Sequence, residues 1–181
     1  MKKALGMIEF KTVASGITAT DLMLKTAEIE VVQAGPVCPG KYLATVSGDI
    51  SAVRAAIEAA ENYAPQMLID KFLLGNPHET VQPAICGALE VHKKGALGII
   101  ETFTAASAVV AADTAAKTAI VELIEIRLAK GMCGKSYVLL TGSVSAVTAA
   151  IDKAKQGVED GLLLDTSVIA GPDAGLWSSI L

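Results

Sequence analysis

Ala4-Leu5-Gly6-Met7-Ile8-Glu9 is written a second time, with one change, as Ala96-Leu97-Gly98-Ile99-Ile100-Glu101. The offset of 92 persists beyond this block: Asp21, Lys25, Thr26 and Ala27 return as Asp113, Lys117, Thr118 and Ala119. Thirteen of the 24 pairs between 4–27 and 96–119 are identical, which chance does not produce. A later block matches at an offset of 94, pairing Gly40-Lys41 with Gly134-Lys135, Gly48 with Gly142, and Ser51-Ala52-Val53 with Ser145-Ala146-Val147. The chain is therefore a tandem duplication of a unit of about 90 residues. The change of offset places a two-residue length difference just before the loops that carry Cys38 and Cys133.

Each repeat reads as strand, helix, two strands, helix, strand. In the first, Lys3–Phe10 is a short apolar run bounded by charge, hence a strand. Residues 14–27 place Ile17, Leu22 and Leu24 at helical spacing, with Asp21 and Lys25 as an i,i+4 pair. Ile29–Val32 and Tyr42–Val46 read as strands, and Ser51 is expected to cap a helix running to Tyr63, where Pro65 ends it. Met67–Leu74 is the last strand of the repeat. This order predicts an α+β fold, each unit a mainly antiparallel sheet with helices on one face. We place the first domain at 1–92, including a connector at 75–92 with a short helix at 81–89, and the second at 93–181. The tail at 171–181 holds the single tryptophan, Trp177, and is expected to pack on a neighbouring surface.

Composition narrows the function classes. Apolar residues make up 52% and aromatics only 4%, so the excess is small aliphatic side chains, which suggests surface covered by other subunits. No apolar run reaches the roughly 18 residues a membrane span needs, and Glu9 and Lys11 interrupt any signal-peptide core, so a cytoplasmic, membrane-free protein is expected. Net charge is −4 with no basic stripe, which argues against nucleic acid. The three cysteines, Cys38, Cys86 and Cys133, are odd in number and widely spaced, which argues against a disulfide framework and against a Cys-x-x-Cys zinc site.

Cys38 lies between Pro36 and Pro39 in Gly35-Pro36-Val37-Cys38-Pro39-Gly40-Lys41. Two proline rings restrict the backbone there, so the thiol is presented on a stiff loop. Its counterpart is Gly131-Met132-Cys133-Gly134-Lys135. A free cysteine is commonly a small buried hydrophobe, which suffices for Cys86 in the apolar stretch 84–89. His78 and His92 read as surface residues, and Glu9 and Glu101 as equivalent structural groups of the two repeats rather than an acid–base pair. There is no phosphate-loop spacing and no nucleophile with a base, so the chain does not read as an enzyme.

These residues resemble the bacterial microcompartment shell proteins, in particular the tandem-domain class that forms trimers. The resemblance rests on the paired first-strand hexapeptides, Asp21/Lys25 and Asp113/Lys117, the two Gly-Lys pairs, and Asn76-Pro77-His78 after the last strand of the first repeat. It implies two tandem ferredoxin-like domains and a homotrimeric, pseudo-hexagonal tile that packs with other shell proteins in the bacterial cytoplasm. In such a tile Val37, Cys38, Pro39, Met132 and Cys133 would line the central pore, and Lys25, Lys117, Asn76, Pro77 and His78 would make tile-edge contacts. The family often has arginine before the proline–histidine pair, where this chain has Asn76, and the second repeat has Gly171-Pro172-Asp173 instead.

The Cys38 loop further looks like that of the propanediol-utilisation branch of the family, whose trimers hold an iron–sulfur cluster in the pore. The resemblance implies one 4Fe-4S cluster per trimer on three Cys38 thiolates, conducting electrons across the shell to a redox enzyme partner. Cys133 would then be a further ligand or a rim residue. A shell trimer with a metal-free pore for small metabolites is the alternative, and a trimeric enzyme or small-ligand regulator with sites between subunits is a reading of another class.

Overall fold

A computed structural model describes residues 4–92 and 94–181. Lys3, the expected start of the first strand, lies outside the described residues. The chain forms two compact units, one comprising the chain up to Pro77 together with Ala129–Gly134, the other His78–Leu128 with Lys135–Leu181. Most of the connector at 75–92 goes with the second unit, because its helix packs against elements of that unit.

The first unit contains β1 (Ala4–Phe10), α1 (Val13–Thr26), β2 (Ile29–Val37), β3 (Lys41–Gly48), α2 (Ile50–Tyr63) and β4 (Leu68–Leu74). Its sheet has the order β2-β3-β1-β4 with every pairing antiparallel, the ferredoxin-like arrangement. Alternation along the central strand β1 sends Ala4, Ile8 and Phe10 into a core with Met23, Val53, Ala56 and Ile57 from the two helices. Gly6 shares that face because a Cβ there would lie 2.5 Å from Val53 Cγ1. Leu5, Met7 and Glu9 point to the other face and are buried too, so β1 is covered on both sides.

The second unit contains α3 (Val81–Ile85), β5 (Ala96–Thr102), α4 (Ala105–Thr118), β6 (Val121–Arg127), β7 (Ser136–Gly142), α5 (Val144–Gly157), β8 (Leu163–Ile169) and α6 (Ala174–Ile180). Its sheet repeats the first, with order β6-β7-β5-β8 and antiparallel pairing throughout. The connector helix α3 packs against β6 and α4, and is shorter than expected because Gly87, at φ +65°, turns the chain away. Trp177 on α6 is only 5% exposed and packs with Leu97, Ile124 and Leu139, so the surface that receives the tail is the sheet of its own unit.

Three expectations are corrected. The helix α2 begins at Ile50 with Asp49 at its N-cap and no side-chain cap, whereas Ser51 lies inside the first turn. Strand β2 continues five residues past Val32, to Val37. It is an edge strand, where Pro36 needs no inward N–H and can pair with Tyr42 on β3. Cys86 is exposed at the end of α3, so packing does not account for it.

Candidate functional site

Because β2 runs to Val37, Cys38 is held on a tight turn between two strands, not on a long loop. Gly40 N–H donates to the Val37 carbonyl at 3.0 Å, and the Cys38–Pro39 peptide is cis. Gly40, at φ +87°, takes a conformation that L side chains disfavour and hands the chain to β3. Val37 is buried and anchors the turn, while Cys38 is half-buried and Pro39 is exposed at the tip.

The turn does not stand alone. Cys38 N–H donates to the carbonyl of Ala129 at 3.1 Å, which joins it to the 129–134 turn. Ala129 (φ 55°) and Cys133 (φ 54°) both adopt the left-handed region, uncommon outside glycine, so this turn is wound tightly. Gly134 (φ +91°) is buried beneath Cys38, and a Cβ there would come within 3.3 Å of both the Cys38 carbonyl oxygen and Lys41 Nζ. Met132 is half-buried and Cys133 is exposed. The structure thus brings the two cysteine-bearing turns expected at the pore onto one another.

Below the turns lies a pair that sequence reasoning did not connect. Lys41 Nζ donates to Glu9 Oε1 at 3.0 Å, because Glu9 pairs with Leu43 across β1 and β3 and Lys41 sits two residues away on the same face. Burial pushes the Glu9 carboxyl above its ordinary value, and the Lys41 hydrogen bond and charge oppose that shift. Glu9 Oε2, Thr45 Oγ1 and Ser47 Oγ are buried on this face without hydrogen-bond partners among the described residues. In the second unit Lys135 Nζ and Glu101 Oε1 repeat the pair at 3.1 Å with both side chains more open. The signal was available, since both members of the pair occur twice, at offsets of 92 and 94.

The strands leading to the second turn are clamped in their own unit. Tyr137 donates to Glu125 Oε2 at 2.7 Å, and Arg127 bonds Glu125 Oε1 while lying 5.6 Å over the Tyr137 ring. Burial, reinforced by Glu125, pushes the Tyr137 phenol up to about 12.

The residues expected at the tile edges divide by unit. Lys25 and Asp21 form an exposed i,i+4 pair at 2.6 Å on α1. Lys117 makes the same contact with Asp113 on α4, but Asp113 is buried and also accepts the backbone N–H of His78 at 2.7 Å. His78 is therefore tied down, and its ring meets Thr80 Oγ1 at 2.8 Å. Asn76 is exposed and Pro77 half-buried.

Among the described residues, no group of three histidine, cysteine or acidic side chains in a single chain could hold a metal ion. The donors the site does offer are soft thiols, Cys38 and Cys133, with neither histidine nor carboxylate on either turn. That donor set suits iron–sulfur ligation once symmetry supplies further copies. No helix among the described residues is long and apolar enough to cross a membrane.

The BMC-domain family model matches twice, over residues 4–77 and 96–172. The chain is 38% identical over 182 aligned residues to the bacterial microcompartment shell protein PduT of Citrobacter freundii, covering 100% of this chain and 99% of that one. Among solved structures, a microcompartment protein from Desulfitobacterium hafniense superposes with a TM-score of 0.92 at 42% identity, covering 98% of this chain and 99% of the other. The fused permuted hexameric shell protein of the RMM microcompartment shares the fold, with a TM-score of 0.62 at 22% identity over 86% of this chain and 81% of that one.

Proposed function

The chain belongs to the BMC-domain family, as a structural shell protein of bacterial microcompartments and not an enzyme, and from that premise we propose that three copies form a tile whose central pore holds a 4Fe-4S cluster. Three chains, each with two similar units, make a pseudo-hexagonal plate, and one Cys38 from each meets its two mates at the threefold axis. Three thiolates ligate three irons of the cluster, and a non-protein ligand completes the fourth.

The observation that carries this reading is the Cys38 turn itself. A half-buried thiol is fixed at a strand end, and its own amide is bonded to the Ala129 carbonyl. Such anchoring holds a ligand atom in place before the cluster arrives. The cluster, when bound, supplies a one-electron couple, so a tile that blocks metabolites would still pass electrons to a redox enzyme on the other side. Pro39, Met132 and Cys133 line the rim, with Val37 as the anchor beneath. Lys25, Lys117, Asn76, Pro77 and His78 contribute to contacts with neighbouring shell proteins.

Anaerobic purification tests the proposal. One cluster per three chains gives about four irons and four sulfides per trimer, with visible thiolate-to-iron absorbance. Cys38→Ser removes iron, sulfide and colour while leaving the trimer intact. Colour that survives this substitution overturns the cluster assignment. Iron that stays absent after anaerobic reconstitution favours the metal-free pore for small metabolites.

A further inference from the structure

Lys41 belongs to the hairpin that carries Cys38. It pairs in register with Val37, the residue before the cysteine, so only Cys38, Pro39 and Gly40 separate the two strands. Its ammonium turns under the hairpin instead of out to water: Lys41 Nζ and the Cys38 carbonyl oxygen each lie 3.3 Å from the point where a Cβ on Gly134 would sit. A glycine there leaves room for both.

Lys41 and its partner Glu9 are withdrawn from solvent, with side chains only 22% and 2% exposed. Stability is a poor account of such a pair. Desolvating two charges offsets much of their attraction, and Glu9 Oε2 is left with no hydrogen-bond partner among the described residues. In the second unit the same residue types meet in the open, Lys135 and Glu101 being 41% and 28% exposed, where water and salt screen them. A half-buried thiol thus shares its hairpin with a half-buried cation, and an exposed thiol precedes an exposed one.

We infer that Lys41 sets the charge of the Cys38 site: its ammonium favours negative charge gathered at the cysteine sulfur, and Glu9 sets how much of that ammonium is felt. Where the inference concerns reduction potential, it rests on the cluster reading above. One electron from a one-electron carrier such as a reduced flavin makes a thiolate-bound 4Fe-4S centre one charge unit more negative, with no proton moved and no bond made or broken. A cation held close by, where water screens poorly, lowers the energy of that reduced state and raises the potential. A carboxylate beside the cation works the other way. Asp70, opposite Glu9 on β4, adds to the acidic side of the balance.

The first test needs no metal and uses the full-length protein at neutral pH. The Cys38 thiolate displaces iodide from iodoacetate, an anion, or from iodoacetamide, which is neutral, forming a sulfur–carbon bond in each case. The ratio of the two rates, followed at the Cys38 peptide by mass spectrometry with Cys86 as internal reference, reads the local potential, because ionisation of the thiol cancels. Lys41→Met is expected to lower the ratio roughly threefold or more, and Glu9→Gln to raise it by a similar factor. The Glu9→Gln, Lys41→Met double variant carries neither charge and is expected to lie between, and with Glu9→Gln it decides the matter if Lys41→Met alone does not fold. The second test is a spectroscopic redox titration of anaerobically reconstituted protein, in which Glu9→Gln raises the potential, Lys41→Met lowers it and the double variant lies between. Loss of packing alone does not give shifts of opposite sign. Cys38 ratios indifferent to these substitutions overturn the inference, as do wild-type potentials in cluster-loaded variants. Protein that takes up no iron fails the cluster reading instead, and the alkylation ratios still decide where the charge of Lys41 acts.

Discussion

Cys38 gives its backbone N–H to the carbonyl of Ala129, 91 residues further along the chain, at 3.1 Å. The residue that would ligate a metal is thereby positioned by a turn from the other repeat. The side of that turn facing Cys38 is kept free of side-chain bulk by Gly134.

Gly134→Ala tests this close approach. The new Cβ would sit 3.3 Å from the Cys38 oxygen at a residue with φ +91°, so crowding and backbone strain add. The expected cost is about 1–2 kcal/mol in denaturant unfolding, with iron content falling because the Cys38 turn shifts. Gly131→Ala meets no neighbouring atom, although it too has a positive φ of 73°. It separates strain from crowding, and iron content is expected to stay unchanged in that variant.

The duplicated lysines should behave differently. Lys41→Met leaves the Glu9 carboxylate buried without its cation and is expected to cost about 3 kcal/mol. Lys135→Met removes a more open pair, with side chains 41% and 28% exposed, and is expected to cost less than about 1 kcal/mol. Urea unfolding of both variants at neutral pH measures the contrast.

Glu9 also predicts a pH dependence. Its folded carboxyl titrates above the ordinary value of 4.5, so the folded state holds the proton more tightly than the unfolded chain. The stability this supplies is fully present below about 4.5. It is lost as pH rises from there through the folded-state value. Glu9→Gln removes the slope in that window, and unfolding midpoints of wild type and variant at a series of pH values are expected to show it.

Trp177 reports on the second unit alone, since it is the only tryptophan and lies 5% exposed against Leu97, Ile124 and Leu139. Its emission is expected to be blue-shifted in the native protein and to move red when that sheet opens. Trp177→Ala is expected to cost about 3 kcal/mol or more, read by circular dichroism on heating.

The duplication was legible because matching residues recur at fixed offsets, and it carried element order and sheet type with it. Strand β1 and both long helices of each repeat could be read from apolar spacing. What escaped the sequence were features set by tertiary position. Strand β2 runs through Gly35 and Pro36, which read as loop residues, because a sheet edge tolerates a missing N–H. Helix α4 is buried on nearly every side, yet its run of alanines and valines shows no stronger periodicity than α1. Ile120 gives no local hint of its exposure, since an isoleucine before a strand ordinarily reads as core. The flanking prolines single out the Cys38 loop in the sequence, but its hydrogen bond to the Ala129–Gly134 turn depends on a fold-level approach that spacing along the chain does not encode.

Ala129–Gly134 has moved its allegiance from the repeat that encodes it to the compact body formed by the other. A fragment that ends before Ala129 lacks the acceptor of the Cys38 amide and the glycine floor of its turn, so the first repeat made alone would keep this turn only when the second repeat binds back to it.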